Sequence, residues 1–179
     1  LDATCRLLDC GPELVELALD SLLDRGAVVQ EHVAKVDACY LRRLWEAEVS
    51  ACARLNEAIA RRYELSPEHV ISGNGSDELL AFAFRAFCGK GRPVAYADIT
   101  YGFYEAQAAL FGLDARIIPL REDFSLCVDD YMDFPGTIVI ANPNAPTGIA
   151  APREDIQRLL EADPDRVVIV DEAYVDFGG

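Results

Sequence analysis

Residues 137–148 read Thr-Ile-Val-Ile-Ala-Asn-Pro-Asn-Ala-Pro-Thr-Gly, and residues 166–174 read Arg-Val-Val-Ile-Val-Asp-Glu-Ala-Tyr. Each is an apolar, β-branched run that stops abruptly at polar residues. A run that is apolar at every position has no solvent face, so it suits a strand covered on both sides. Outward from these two, Pro93–Tyr96 and Ala115–Ile118 are shorter runs of the same kind. Between them, Leu79–Cys88, Tyr101–Phe111 and Glu154–Glu161 carry apolar residues at helical spacing. Strands alternating with helices predict an α/β fold, a mostly parallel sheet flanked by helices and joined by crossover connections.

Upstream the pattern changes. Leu14, Leu17, Leu22 and Leu23 keep to one helical face, with Pro12 in the first turn and Gly26 at the end, which predicts a short helix. From Leu41 to Tyr63 the residues Leu44, Ala51, Leu55, Ala58 and Ile59 predict a long amphipathic helix, stopped at Ser66-Pro67. Residues 27–40 show no clear period and stay unassigned. The expected organisation is an N-terminal helical segment over 1–50 and the α/β domain over 51–179, without repeats or a low-complexity linker.

The composition, 51% hydrophobic over 179 residues, is that of a packed protein. Sixteen Lys and Arg against 31 Asp and Glu give a formal charge of −15, which argues against nucleic acid or an anionic membrane as partner. The short basic pairs Arg42-Arg43 and Arg61-Arg62 read as solvated helix faces. Cysteines at 5, 10, 39, 52, 88 and 127 form no C-x-x-C pair, and only His32 and His69 could join them, so no metal site is expected. Six reduced thiols suit the cytoplasm. No apolar stretch reaches the roughly 18 to 20 residues that span a bilayer, and residues 1–30 carry acids where a signal peptide has a basic start.

In an open parallel sheet, ligands gather beyond the carboxyl ends of the strands. Three polar segments stand there. Gly73-Asn74-Gly75-Ser76-Asp77-Glu78 opens an apolar helix, and free amides at a helix start attract a phosphate; an ordinary cap by Ser76 or Asp77 uses the same residues. The segment also half-matches a dinucleotide fingerprint, with Asp98 at the next strand end, but Glu78 occupies the place of the third glycine. Asn142-Pro143-Asn144-Ala145-Pro146-Thr147-Gly148 is a stiff, amide-rich turn suited either to a polar ring edge or to a plain loop. Asp171, at the end of an apolar run, needs a cation or several donors to stay ionised, and a protonated pyridine nitrogen is one suitable partner.

Together these segments resemble the fold type I pyridoxal-phosphate enzymes, and within them the histidinol-phosphate aminotransferase family of class I/II. The resemblance runs from about Arg54 to Phe177, through L-N-E-A-I-A at 55–60, G-N-G-S-D-E-L-L at 73–80, T-Y-G-F-Y at 100–104, N-P-N-A-P-T-G at 142–148 and D-E-A-Y-V-D-F at 171–177. It implies part of the large domain of that fold, with pyridoxal 5'-phosphate as cofactor. Gly75, Ser76 and Asp77 would bind the cofactor phosphate, Tyr101 would stack on the pyridine, Asp171 would pair with its nitrogen, and Tyr174 would reach its phenolic oxygen. That family often has asparagine directly before Pro-Thr-Gly; Ala145 stands there, leaving Asn142 or Asn144 to compensate. Thr4–Cys10 does not match the family's opening segment.

The resemblance further implies amino transfer between histidinol phosphate and 2-oxoglutarate, a small-molecule reaction of histidine biosynthesis, in a homodimer. The lysine that bonds the cofactor in that family lies beyond D-E-A-Y, whereas Lys35 and Lys90 are the lysines here. Lys90, in a Gly-Lys-Gly turn, reads as a solvated cation. The expectation for this chain is therefore an inactive fragment of an aminotransferase. Threonine-phosphate decarboxylase, a related enzyme, and a non-catalytic interaction module that keeps the fold are the alternatives.

Overall fold

The computed structural model describes residues 2–33, 36–89 and 91–177. The chain forms two compact units, Leu1–Ser72 and Gly73–Gly179. This differs from the boundary expected after residue 50, which falls inside a continuous helix, Arg42–Arg62. Hydrogen bonding along a helix leaves no natural break there, and the division comes at the coil before Gly73 instead.

In the first unit, α1 (Asp2–Leu8) and α2 (Pro12–Asp24) precede strands β1 (Val28–Val33) and β2 (Val36–Leu41), followed by α3 (Arg42–Arg62). The strands pair antiparallel, Val28 opposite Leu41 and His32 opposite Asp37. The described part of residues 27–40, unassigned from the sequence, is thus largely two antiparallel strands, so the N-terminal segment is not purely helical. Its period was hidden because neither face is deeply buried: of this unit's described residues only Val28 and Ala60 are core. The Leu14 and Leu17 side chains of α2 remain largely exposed.

The second unit holds α4 (Ser76–Phe87), β3 (Val94–Ala97), α5 (Phe103–Phe111), β4 (Ala115–Ile118), β5 (Thr137–Ala141), α6 (Arg153–Ala162) and β6 (Val168–Asp171). The four strands make one parallel sheet in the order β4-β3-β5-β6. This is the α/β fold read from the sequence. Every residue of β3 and β5 is buried, as an unbroken apolar run requires. Alternate residues serve opposite faces. Val94, Tyr96, Val139 and Ala141 pack with Leu80 and Phe84 of α4 and Tyr104 and Ala108 of α5. Ala95, Ile138 and Ile140 pack with Leu159 of α6 and with Val128 and Tyr131 of a short 3-10 turn. β6, also read as doubly covered, is instead a half-exposed edge strand, because it pairs on one side only.

Two devices close the bottom of this sheet. The buried Arg166 guanidinium donates to the carbonyls of Met132 (2.7 Å), Phe134 (3.1 Å) and Leu159 (2.8 Å), tying the turn and α6 to the approach to β6. Gly136 lies against Pro93, whose carbonyl accepts the Thr137 amide at 2.9 Å and starts the pairing of β3 with β5. A β-carbon at 136 would overlap that carbonyl and sit 2.8 Å from the Phe134 ring.

The connection through α5 carries the chain from β3 to β4 on one side, and the connection through α6 carries it from β5 to β6 on the other. A crevice therefore opens between the carboxyl ends of β3 and β5, the place where such sheets bind ligands. Among the described residues no helix is long and apolar enough to cross a membrane. Gly136→Ala is expected to lower stability by about 1–3 kcal/mol through overpacking. The check is the midpoint of urea unfolding of the whole chain, and an unchanged midpoint would mean that Pro93 can move aside freely.

Candidate active site

Besides the loop after β3, which carries Tyr101, three elements build the crevice. The first is the start of α4, where Gly75 caps the helix at φ +88°, ψ 169°, a conformation in effect reserved for glycine. No side chain caps this end, so the cap by Ser76 or Asp77 that the sequence allowed does not form. Glu78 instead reaches back to accept the Asn74 amide at 2.6 Å. Asp77 turns aside, and its carboxylate accepts a hydrogen bond from the Tyr101 hydroxyl at 2.9 Å. Backbone amides at 75–77 are left to meet a ligand, with the positive end of the helix behind them.

The second element is the end of β6. Asp171 is half-buried, and its two oxygens are held separately: Oδ2 accepts the Tyr104 hydroxyl at 2.7 Å and Oδ1 accepts the Ala173 amide at 3.2 Å. Donors, not a cation, answer its need to be stabilised. Hydrogen bonds to a charged group contribute about 1.5–3 kcal/mol each, enough to keep a half-buried carboxylate in place. Tyr104 is fully buried, and burial, then its bond to Asp171, pushes its phenol far above the ordinary tyrosine range. Its ring meets that of Tyr101 edge-on, with centroids 5.9 Å apart at 89°.

The third element is the turn after β5. Asn144 departs from the expected role of cofactor contact. Its Oδ1 accepts the Thr100 hydroxyl at 2.8 Å, and its Nδ2 donates to the Ile99 carbonyl at 2.9 Å and Thr147 Oγ1 at 3.1 Å. The buried amide is fully used in clamping the loop after β3 to the loop after β5. Asn142 is likewise committed, its Oδ1 accepting the Ala151 amide at 2.7 Å. Asn144 has both amide N–H groups donated within the protein, whereas Asn142 donates one, to the Ala151 carbonyl at 3.4 Å.

Ser76, Tyr101, Ala145, Asp171 and Tyr174 line one common cleft of about 40 Å³. Pockets that enclose a ligand measure roughly 300–1,000 Å³, so this cleft by itself is too small to enclose one. Of the candidates for ring and phosphate, Ser76, Tyr101, Asp171 and Tyr174 share this cleft; Asp77 joins them through its bond to Tyr101, and Gly75 and Asn144 do not line it. The dinucleotide alternative fails: residues 70–72 form no strand, and Asp98 spends its carboxylate on the Ile99 and Leu120 amides at 2.8 and 2.9 Å. Lys90, read as a surface cation, lies outside the described residues. Two residues escaped the sequence reading, Thr100 and Tyr104. Both belong to the T-Y-G-F-Y segment, and the three-residue step from Tyr101 to Tyr104 was the available signal for a shared face.

The bond to Asp77 raises the Tyr101 phenol above its ordinary value, since a nearby carboxylate disfavours the phenolate. The folded chain holds this proton more tightly, so the bond's stabilisation is full below the ordinary tyrosine range and is lost as pH climbs through the raised value. Asp77→Asn is expected to move the Tyr101 ionisation to lower pH. Ultraviolet titration, with Tyr101→Phe identifying the band, reads this, and an unmoved titration contradicts the bond.

Residues 49–179 match the family described as aminotransferase class I and II. A histidinol-phosphate aminotransferase of Marinomonas sp. (strain MWYL1) is 52% identical over 129 residues, which cover 71% of this chain and 36% of that protein. The solved histidinol-phosphate aminotransferase of Sinorhizobium meliloti, in complex with pyridoxal-5'-phosphate, is similar with a TM-score of 0.62 and 25% identity, over 69% of this chain and 35% of its own. L-threonine-O-3-phosphate decarboxylase of Porphyromonas gingivalis gives a TM-score of 0.60 and 25% identity, over 70% of this chain and 37% of its own. The chain thus spans about a third of the length of these relatives. With a parallel sheet, a crevice between β3 and β5 and the matched residues 49–179, the chain belongs to the class I and II aminotransferase family.

Proposed function

We propose that this chain supplies a pyridoxal-phosphate-binding wall of a histidinol-phosphate aminotransferase. The observation that carries the reading is the common cleft of Asp171, Tyr101 and the uncapped start of α4. The donor set fits the group: a carboxylate for a protonated ring nitrogen, an aromatic face for the ring, and backbone amides for a phosphate. When bound, the cofactor supplies a ring that accepts the electron pair released as a substrate C–H bond breaks.

The chain's own residues have distinct parts. Asp171 would accept the ring N–H of the cofactor. Tyr101, its hydroxyl tethered to Asp77, would pack against the ring. The amides of Gly75, Ser76 and Asp77 would receive the phosphate. Tyr174, half exposed at the cleft, would donate to the ring's phenolic oxygen; Ala145 offers no side-chain donor there. No Lys or Arg lines this cleft among the described residues, so phosphate affinity on this wall comes from amides and the helix dipole alone. Binding by this wall is accordingly weak.

The full reading is amino transfer between histidinol phosphate and 2-oxoglutarate in histidine biosynthesis, by a cytoplasmic homodimer. Similarity to the threonine-phosphate decarboxylase supports a second reading, because the two activities share cofactor contacts and differ in substrate contacts. Activity of the natural gene product on histidinol phosphate, compared with threonine phosphate, separates them.

For the chain itself, titration with pyridoxal 5'-phosphate is expected to give saturable, reversible binding that inorganic phosphate competes. Asp171→Asn is expected to weaken it about tenfold, the value of one charge-assisted hydrogen bond. Borohydride treatment followed by peptide mass spectrometry is expected to leave the cofactor on neither Lys35 nor Lys90. Absence of saturable binding, or binding indifferent to Asp171→Asn, would sink the reading.

A further inference from the structure

Tyr104 is held from three directions. Its ring stacks near Phe84 of α4, with centroids 6.2 Å apart at 22°, and meets Tyr96 of β3 at 6.1 Å and 61°. The Tyr101 ring stands edge-on to it. With no exposed surface, the phenol has a single place, and its hydroxyl ends 2.7 Å from Asp171 Oδ2. The partner is 67 residues away in sequence, on another element.

We propose that Tyr104 is the positioning residue for Asp171: its hydroxyl, with the Ala173 amide on the other oxygen, locks the carboxylate's rotation so that it presents a lone pair to a pyridine nitrogen in the cleft. This rests on the cofactor reading above. A carboxylate held at one oxygen can swing; held at both, it must break a bond to turn. Preorganisation of this kind saves the ordering cost at the moment of binding.

The choice of donor matters as much as its place. A lysine or arginine at 104 would neutralise Asp171 and compete with the ring for its charge. A buried phenol, whose proton is held far above the ordinary range, donates a hydrogen bond and leaves the negative charge intact. The same ring braces Tyr101, so one buried side chain fixes both the aromatic that would face the ring and the acid that would meet its nitrogen.

Tyr104→Phe removes the hydroxyl and keeps the ring. The probes are pyridoxamine 5'-phosphate and its analogue carrying C–H in place of the ring nitrogen, bound to the whole chain and followed by calorimetry. The variant is expected to bind pyridoxamine 5'-phosphate about tenfold more weakly and the analogue within about twofold of the unsubstituted chain. Equal losses for both compounds would show a purely packing role and overturn the proposal, as would no loss for either. If pyridoxamine 5'-phosphate fails to bind the unsubstituted chain, the cofactor reading itself falls and the proposal with it.

A second measurement needs no variant. The Tyr104 hydroxyl proton, shielded from solvent, is expected to shift in its nuclear magnetic resonance on addition of pyridoxamine 5'-phosphate and to stay in place with the analogue. An identical response to both compounds overturns the proposal even should Tyr104→Phe fail to fold.

Discussion

The second unit depends on burying β5 on both faces. Five successive residues, Thr137 to Ala141, leave no side that water can reach. Covering them requires helices above and below and strands to either side, and each crossover must return the chain to the same end of the sheet to continue in parallel. With β4 on one flank and β6 on the other, the loops after β3 and β5 are pushed apart at their carboxyl ends. The crevice is thus a by-product of covering an apolar strand, and polar residues at the ends of the runs fall into it.

What turns a crevice into a site is a set of clamps that cross it. Asn144 joins the loop after β5 to the loop after β3 through Thr100 and Ile99, and Asp98 joins the latter loop to the residues after β4. These bonds hold the loop that carries Tyr101. A buried amide left unpaired costs about 1–3 kcal/mol, so the clamp is stable only when all its partners are present. Ala145 sits beside the clamp and contributes shape without a donor.

The electrostatics follow the same division. The cleft wall carries carboxylates at Asp77 and Asp171, yet both are turned to hydroxyl and amide donors within the protein. Tyr101 and Tyr104 stay neutral phenols because burial or a neighbouring carboxylate disfavours their ionised forms. An acidic chain can therefore offer a phosphate the amide-rich end of α4, with Asp77 drawn off toward Tyr101.

Much of this was legible in the residues. The runs read at 93–96, 115–118 and 137–141 lie within one residue of the strands found, and the helix read from 41 to 63 agrees equally well with Arg42–Arg62. These are local properties: a period of two or of 3.6 is written along the chain itself. The paired strands at 28–33 and 36–41 were not legible, because strands with little burial carry little alternation. The bonds that Asn144 makes were not legible for a related reason. An asparagine after a strand can face a ligand or a neighbouring loop, and only the position of Thr100, 44 residues earlier, decides which. Residue types and the order of motifs sufficed for the α/β class, the family and the candidate acid at 171. Which group holds that acid, and that Tyr104 is the one, depended on strand order and packing, since a hydrogen bond is set by a distance in space that no separation along the chain encodes.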